Sequence, residues 1–166
     1  MVRIPERPAE GPPAPAASAE PLPPEPPSAG TALGTFRNTY YNFPQQRNYS
    51  GRRVTVFDAR CHPIANVPVT FHDTLCVQGS GSLLDGATLS FARRGCHCAR
   101  TCPRTGQQIC FDRLDRERFP WGRGAAGTGI VPLRSVAVDI SVIPLGTRLF
   151  IPEFVGLPRE PGGEPA

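Results

Sequence analysis

The chain has 166 residues, 18 basic side chains against 14 carboxylates for a formal charge of +4, and six cysteines. That length fits one domain and hardly two, and the sequence holds no apolar run of about 18–20 residues, which excludes a membrane-spanning helix. Every basic residue is arginine, a usage that fits GC-rich coding as readily as an anionic partner, so charge only favours an acidic polymer over a basic one.

The first 30 residues hold ten of the 21 prolines, with Ala, Glu and Ser and almost no large apolar side chain. Such a segment cannot bury enough surface to offset its ordering entropy, so residues 1–32 read as a disordered arm. A Pro-rich arm suits a spacer between an anchor and a domain. It carries two Arg and four Glu, whereas the rest carries sixteen Arg against ten carboxylates. The start, MVRIPERPAE, has no apolar h-region and is not a signal peptide. Residues 33–157 are left as the domain, with 158–166 as a polar tail.

Within the domain, RRVTVFDA (52–59) alternates and is rich in Val and Phe, the signature of a strand. VPVTFHDTLCVQ (67–78) reads as a further strand or strand pair, opened by Pro68 at an edge position. In GSGSLLDGATLSFA (79–92), Gly-Ser-Gly breaks the chain, Asp85-Gly86 signals a hairpin turn, and ATLSFA returns as a strand. A cysteine-rich loop covers 93–110, and the first half of FDRLDRERFPWGRGAAG (111–127) reads as a short helix ending before Pro120. RSVAVDI and TRLFIPEF read as two strands joined by SVIPLG, a type I turn with Pro144 at its first central position and Gly146 last. Many short strands with little helix point to an all-β fold, a small barrel rather than layered α/β.

Cys61, Cys76, Cys96, Cys98, Cys102 and Cys110 form an even set. In an exported protein the default is structural disulfides, in any of fifteen connectivities that spacing does not settle. Cys96 and Cys98 are too close to pair with each other, so each must reach elsewhere. The alternative is zinc held by Cys96, Cys98, Cys102 and Cys110 with His97, His62 or His72 in reserve, but C-x-C followed by C-x₃-C meets the usual zinc spacing only in part. A nucleophilic cysteine paired with His97 is a third reading, and sequence adjacency says nothing about its geometry. The expectation is therefore disulfides, with no metal and no cofactor; His62 and His72 read as polar strand-edge or turn residues.

Three segments then carry a likeness. LRSVAVDISVIPLGTRLFIPEF (133–154), FRNTYYNFPQ (36–45) and VQGSGSLLDGATLSFA (77–92) together resemble, in order, the 3D (three-aspartate) domain of membrane-bound lytic murein transglycosylases. Asp139 matches the first of the three aspartates, followed in place by Ile143, Pro144, Leu145 and Gly146. Asn38 stands where the family has Gly, and Phe91 where it commonly has Tyr. The resemblance implies a double-psi β-barrel that cleaves the glycan strands of peptidoglycan. In that chemistry one aspartic acid protonates the glycosidic oxygen and then draws the proton from the attacking muramyl 6-hydroxyl, which needs a raised pKa. The internal nucleophile removes the need for a second carboxylate.

The family's other two aspartates, one of them the active acid, follow the IPLGT strand, and this sequence has no match for them. The expectation is a fragment or split product in which Asp139 supports the site. Its bland role is a carboxylate accepting backbone N–H groups in a turn. Gln78, Gly79, Ser80 and Gly81 are the candidate glycan-groove residues, with Tyr40, Tyr41 and Trp121 to stack on sugar faces; the alternatives are a simple turn or bulge and ordinary core aromatics. Arg93, Arg94, Arg123 and Arg134 could meet anionic peptide stems, or simply be a solvated face. The partners implied are peptidoglycan strands, with no nucleic-acid recognition module in the sequence. The location implied is exported, in the periplasm or cell envelope, with peripheral or lipid-anchored attachment to the outer membrane. Alternative readings are a non-catalytic cell-wall-binding or structural module and a zinc-stabilised interaction domain.

Overall fold

The computed structural model describes residues 30–156. All but the last three residues of the expected arm, and the tail 158–166, lie outside the described residues. Five strands and one helix occupy residues 53–114: β1 (Arg53–Phe57), β2 (Pro63–Pro68), α1 (Val69–Gln78), β3 (Ser80–Ser82), β4 (Thr88–Arg94) and β5 (Ile109–Leu114). β1 and β2 form an antiparallel ribbon, and β3-β4-β5 an antiparallel sheet in sequence order. The two do not close into a barrel among the described residues, so the architecture is a small, mostly β domain with one helix and open sheet edges.

The β1–β2 turn is built on Asp58. Its Oδ1 accepts from the backbone N–H groups of Arg60 at 2.8 Å and His62 at 2.9 Å, and its Oδ2 meets His62 Nδ1 at 3.1 Å. These contacts, the His62 backbone N–H first, hold the Asp58 carboxyl below the usual carboxylate range.

β2 runs without a linker into α1, because Pro68 fixes an extended φ of −55° at the cap and supplies no N–H to continue a ladder. The strand expected over 67–78 is thus mostly helix. Val69, Thr70, Thr74 and Val77 are β-branched and disguise the pattern, but the buried residues Phe71, His72, Leu75 and Cys76 recur at helical spacing. Gly79 ends the helix at φ 80°, its N–H returning to the Leu75 carbonyl at 2.8 Å. This left-handed closing position favours glycine, and it turns the chain directly into β3.

β3 and β4 are joined across Asp85-Gly86 as expected, with the Ala87 N–H on Asp85 Oδ1 at 3.0 Å. β4 then pairs with β5, Phe91 facing Phe111, with a register shift between Phe91 and Arg93. The helix expected over the first half of 111–127 is instead the body of β5 followed by one turn. Ile109, Cys110 and Phe111 are buried at the ladder, while Arg113 pairs with Asp85 at 2.7 Å. Beyond the strand, Asp115 accepts from the Glu117 N–H with its side chain and from the Phe119 N–H with its carbonyl.

The core lies where α1 packs on both sheets. Val56, Val67, Phe71, Leu75, Leu83, Leu89, Ile109 and Phe111 form one cluster together with Cys76 and Cys102, and Cys96, Ala99 and Cys110 form a second. So few apolar side chains make a modest core, the situation in which small domains rely on covalent staples. Three disulfides supply them: Cys61–Cys98, Cys76–Cys102 and Cys96–Cys110. Cys96 and Cys98 reach different partners, and the four-cysteine zinc set is taken up by disulfides: Cys96 and Cys110 bond to each other, while Cys98 and Cys102 bond to Cys61 and Cys76.

The strands expected over RSVAVDI and TRLFIPEF do not form among the described residues. Among the described residues from Val131 onward, the backbone–backbone hydrogen bonds stay within that segment, as successive turns. Val136, Ile140, Val142 and Leu145 are exposed, and Ile143 alone is buried. Strand-forming side chains give a strand only where a neighbouring ladder takes the N–H and C=O groups. The turn after Ile143 also shifts by one residue. Pro144 opens it, accepting from the Thr147 N–H, and Gly146 takes a central place at φ 83°.

Candidate functional site

The residues before β1 lie along β3 and shape the most functionally suggestive surface. The Asn42 N–H donates to Gln78 Oε1 at 2.8 Å, the Ser82 N–H to the Pro44 carbonyl at 2.9 Å, and the Leu84 N–H to Gln46 Oε1 at 3.1 Å. Gly81 is what lets the chain approach so closely: a Cβ there would stand 2.7 Å from the Pro44 carbonyl oxygen and 2.8 Å from Leu75 Cδ2. The anchored segment presents Tyr40 and Tyr41 outward, 69% and 63% exposed. Phe43 turns to meet Trp121 edge-on, ring centroids 5.3 Å apart.

Trp121 is held by the loop that follows β5. The Arg123 N–H donates to Ser90 Oγ at 3.0 Å, and Ser90 Oγ lies 3.0 Å from Ser80 Oγ. Gly122, at φ 99°, packs against the Ser80 side chain, leaving no room for a Cβ. The Arg123 guanidinium pairs with the Asp112 carboxylate of β5.

Gln78 links this aromatic edge to a surface hollow of about 350 Å³ lined by Asp73, Thr74, Val77, Gln78, Pro103 and Arg104. Acid, hydroxyl, amide and guanidinium groups beside exposed tyrosines make a surface suited to a polar, flat-faced ligand such as a sugar. Read as a helix, 69–78 would have placed Asp73, Thr74, Val77 and Gln78 on one face, but Pro103 and Arg104 reach the hollow from the cysteine-rich loop. A second hollow, about 240 Å³, is bordered by Ala59, Arg60, Cys61, Arg93, Cys96 and His97.

The candidate groove residues separate by burial. Gln78 is half-buried and lines the hollow, and Gly79 caps α1. Ser80 and Gly81 are buried in β3, and the Ser80 hydroxyl is engaged by Ser90. Asp139 is in the exposed segment after Val131. Its Oδ1 accepts from the Ser141 hydroxyl at 2.6 Å and the Ser141 N–H at 2.9 Å, while its carbonyl accepts from the Val142 and Ile143 N–H groups. The Ser141 hydroxyl, then its N–H, holds the Asp139 carboxyl below the ordinary carboxylate range. Among the described residues no hydrogen bond joins Asp139 to Tyr40, Tyr41 or Gln78–Gly81. Of the four arginines named above, Arg123 is tied to Asp112, and Arg93, Arg94 and Arg134 are exposed.

Comparison with protein-family models, curated proteins and solved structures finds no match to this chain.

Proposed function

We propose that this chain is a peptidoglycan-directed domain of the lytic-transglycosylase 3D type, and that its described residues supply glycan recognition rather than the acid chemistry. The observation that carries the reading is the exposed Tyr40–Tyr41 pair tied to Gln78 through the Asn42 N–H, all within segments that resemble the family, with Gln78 also lining the hollow. A flat aromatic face binds a pyranose ring by apolar contact, while the neighbouring amide and charged groups take its hydroxyls. Three disulfides agree with an oxidising, exported setting such as the periplasm or cell envelope. No helix among the described residues is long and apolar enough to cross a membrane.

A general acid for glycoside cleavage needs a raised pKa so that it holds its proton near neutrality. Asp139 has the opposite environment, two donors favouring the anion. In this reading it shapes a turn. That observation favours a second reading for the chain as it stands, a cell-wall-binding module without catalysis.

Co-sedimentation with purified insoluble peptidoglycan tests recognition. The chain pellets with peptidoglycan, and Tyr40→Ala/Tyr41→Ala weakens this at least about tenfold, roughly the effect of losing two stacked aromatic contacts. Equal pelleting of wild type and variant rejects the assignment. Digestion of the same material yields no 1,6-anhydro product; its appearance above a buffer control would mean that a carboxylate of this chain does act as the acid.

A further inference from the structure

A buried cluster of histidine and cysteines lies apart from the aromatic edge. His72 and Cys76 stand one turn apart on α1, and Cys102 reaches them from the cysteine-rich loop. All three are buried, His72 being 2% exposed and Cys102 fully enclosed. One potential ligand atom from each lies within 4.8 Å of the others. The Cys76–Cys102 disulfide occupies the centre, with Cys76 Sγ 3.8 Å from His72 Nδ1 and 3.9 Å from Nε2. His72 Nδ1 also faces Asp73 Oδ1 at 3.1 Å, and Arg100 Nε is 3.6 Å from the same oxygen.

An imidazole is an expensive choice for a core position that only needs filling. Here one ring nitrogen has a carboxylate partner, and the other has, among the described residues, only sulfur. That is how a metal-binding histidine is oriented, with a carboxylate fixing the nitrogen that does not bind. Tetrahedral zinc with bond lengths of about 2.0 Å to nitrogen and 2.3 Å to sulfur sets its ligand atoms roughly 3.5–3.8 Å apart. Cys76 Sγ lies 3.9 Å from Nε2, just beyond that spacing and almost equally far from Nδ1, so the imidazole must turn and the two sulfurs must part before all three face one ion. The hollow along Asp73, Thr74, Val77 and Pro103 comes within one residue of His72 and of Cys102 along the chain, although the three candidate ligands themselves do not line it.

We propose that Cys76–Cys102 is a redox gate over a latent metal site: once reduced, His72, Cys76 and Cys102 bind one thiophilic divalent cation of the zinc class. The gate opens when an external dithiol or phosphine transfers two electrons to the disulfide. The S–S bond breaks and two thiols form: a dithiol gives up its two protons and leaves as a cyclic disulfide, whereas a phosphine leaves as its oxide, one water supplying the oxide's oxygen and both thiol protons. Cation binding then expels the two thiol protons, and His72 coordinates as the neutral ring. Water takes the fourth position. Asp73 acts as a positioning residue through the imidazole.

The test is a cobalt(II) titration of the full chain before and after phosphine reduction, read by cobalt–thiolate charge-transfer and d–d absorption, with zinc displacement for affinity. The oxidised chain gives no such bands. The reduced chain gives them at one equivalent; Asp73→Asn weakens binding about 10–100-fold, and His72→Gln weakens it further and shifts the d–d bands. Circular dichroism of the reduced chain follows folding, and zinc raises its unfolding midpoint. Bands in the oxidised chain, no bands at one equivalent after reduction, or equal affinities in wild type, Asp73→Asn and His72→Gln each overturn the proposal. So does a reduced chain that is unfolded and that zinc does not refold.

Discussion

Deleting the Cys76–Cys102 bond is expected to cost more than deleting Cys61–Cys98, and the reason can be isolated. The two bonds close the same shortest ring. It runs from Cys61 to Cys76 along the chain, across one disulfide to Cys102, back to Cys98 and across the other. That ring holds about 20 residues, so removing either bond while the rest remain restores about 3.3 kcal/mol of denatured-state entropy by the chain-entropy relation. The difference must come from packing. Cys76 and Cys102 belong to the main core cluster, whereas Cys61 and Cys98 are only half-buried and Cys98 packs against the smaller second cluster. Replacing each core cysteine by alanine removes one buried heavy atom, comparable to Ile→Val at about 0.5–1.5 kcal/mol per site. Cys76→Ala/Cys102→Ala therefore loses roughly 4–6 kcal/mol, and Cys61→Ala/Cys98→Ala about 3 kcal/mol. Against a total of about 5–15 kcal/mol, the first variant stands close to unfolding. Urea denaturation of both pairs, with free energies extrapolated to water, reads the gap. Equal losses, or a larger loss for the 61–98 pair, would refute the claim that the 76–102 bond is a core element as well as a crosslink.

Other consequences follow from close approaches and charges. Gly81→Ala drives a methyl against the Pro44 carbonyl and Leu75, costing about 1–3 kcal/mol and displacing the Tyr40–Tyr41 segment; wild-type urea stability in this variant contradicts the packing described. Gly79→Ala places a Cβ at φ 80° and lowers stability by about 1–2 kcal/mol, measurable in the same denaturation series. Asp58, Asp85 and Asp139 are all held below the usual carboxylate range. Since their folded pKa values lie under the unfolded ones, their contribution is complete above about pH 4–5 and is lost as pH falls through the folded values. Asp58→Asn should flatten the acid limb of the stability curve, and an unchanged limb argues against the Asp58 turn contacts. In Asp139→Asn the Ser141 donors keep an oxygen acceptor, so peptidoglycan pelleting stays at the wild-type value; loss of pelleting would move Asp139 into the site.

Several features were legible from local chemistry. The β1 pattern, the Asp85-Gly86 turn and the return strand β4 rest on side-chain alternation and turn residues, which act over a few positions. Disulfides were the expectation for an even set of cysteines in an exported protein, and all six are engaged in them. Residues 69–78 were misleading because four β-branched side chains obscured a helical burial pattern whose decisive mark was Gly79. The charged run after Phe111 was misleading for the converse reason: Arg113 and Asp112 are strand residues whose charges are met by Asp85 and Arg123, partners distant in sequence. Of the site, Gln78 and the tyrosines could be named from the sequence, whereas Asp73, Thr74 and Arg104 could not, because their hollow depends on the helix.

What the sequence determined by itself was limited by composition: one domain, an even set of cysteines available as staples, and a supply of short strands and tight turns. Tertiary structure decided which staples form, that His72 is enclosed against sulfur rather than left at a strand edge, and that the apolar residues after Val131 stay as turns. The physical reason is common to all three. Disulfide choice, burial of a polar ring and strand formation each depend on which distant groups arrive alongside, and local propensity carries no record of that arrival.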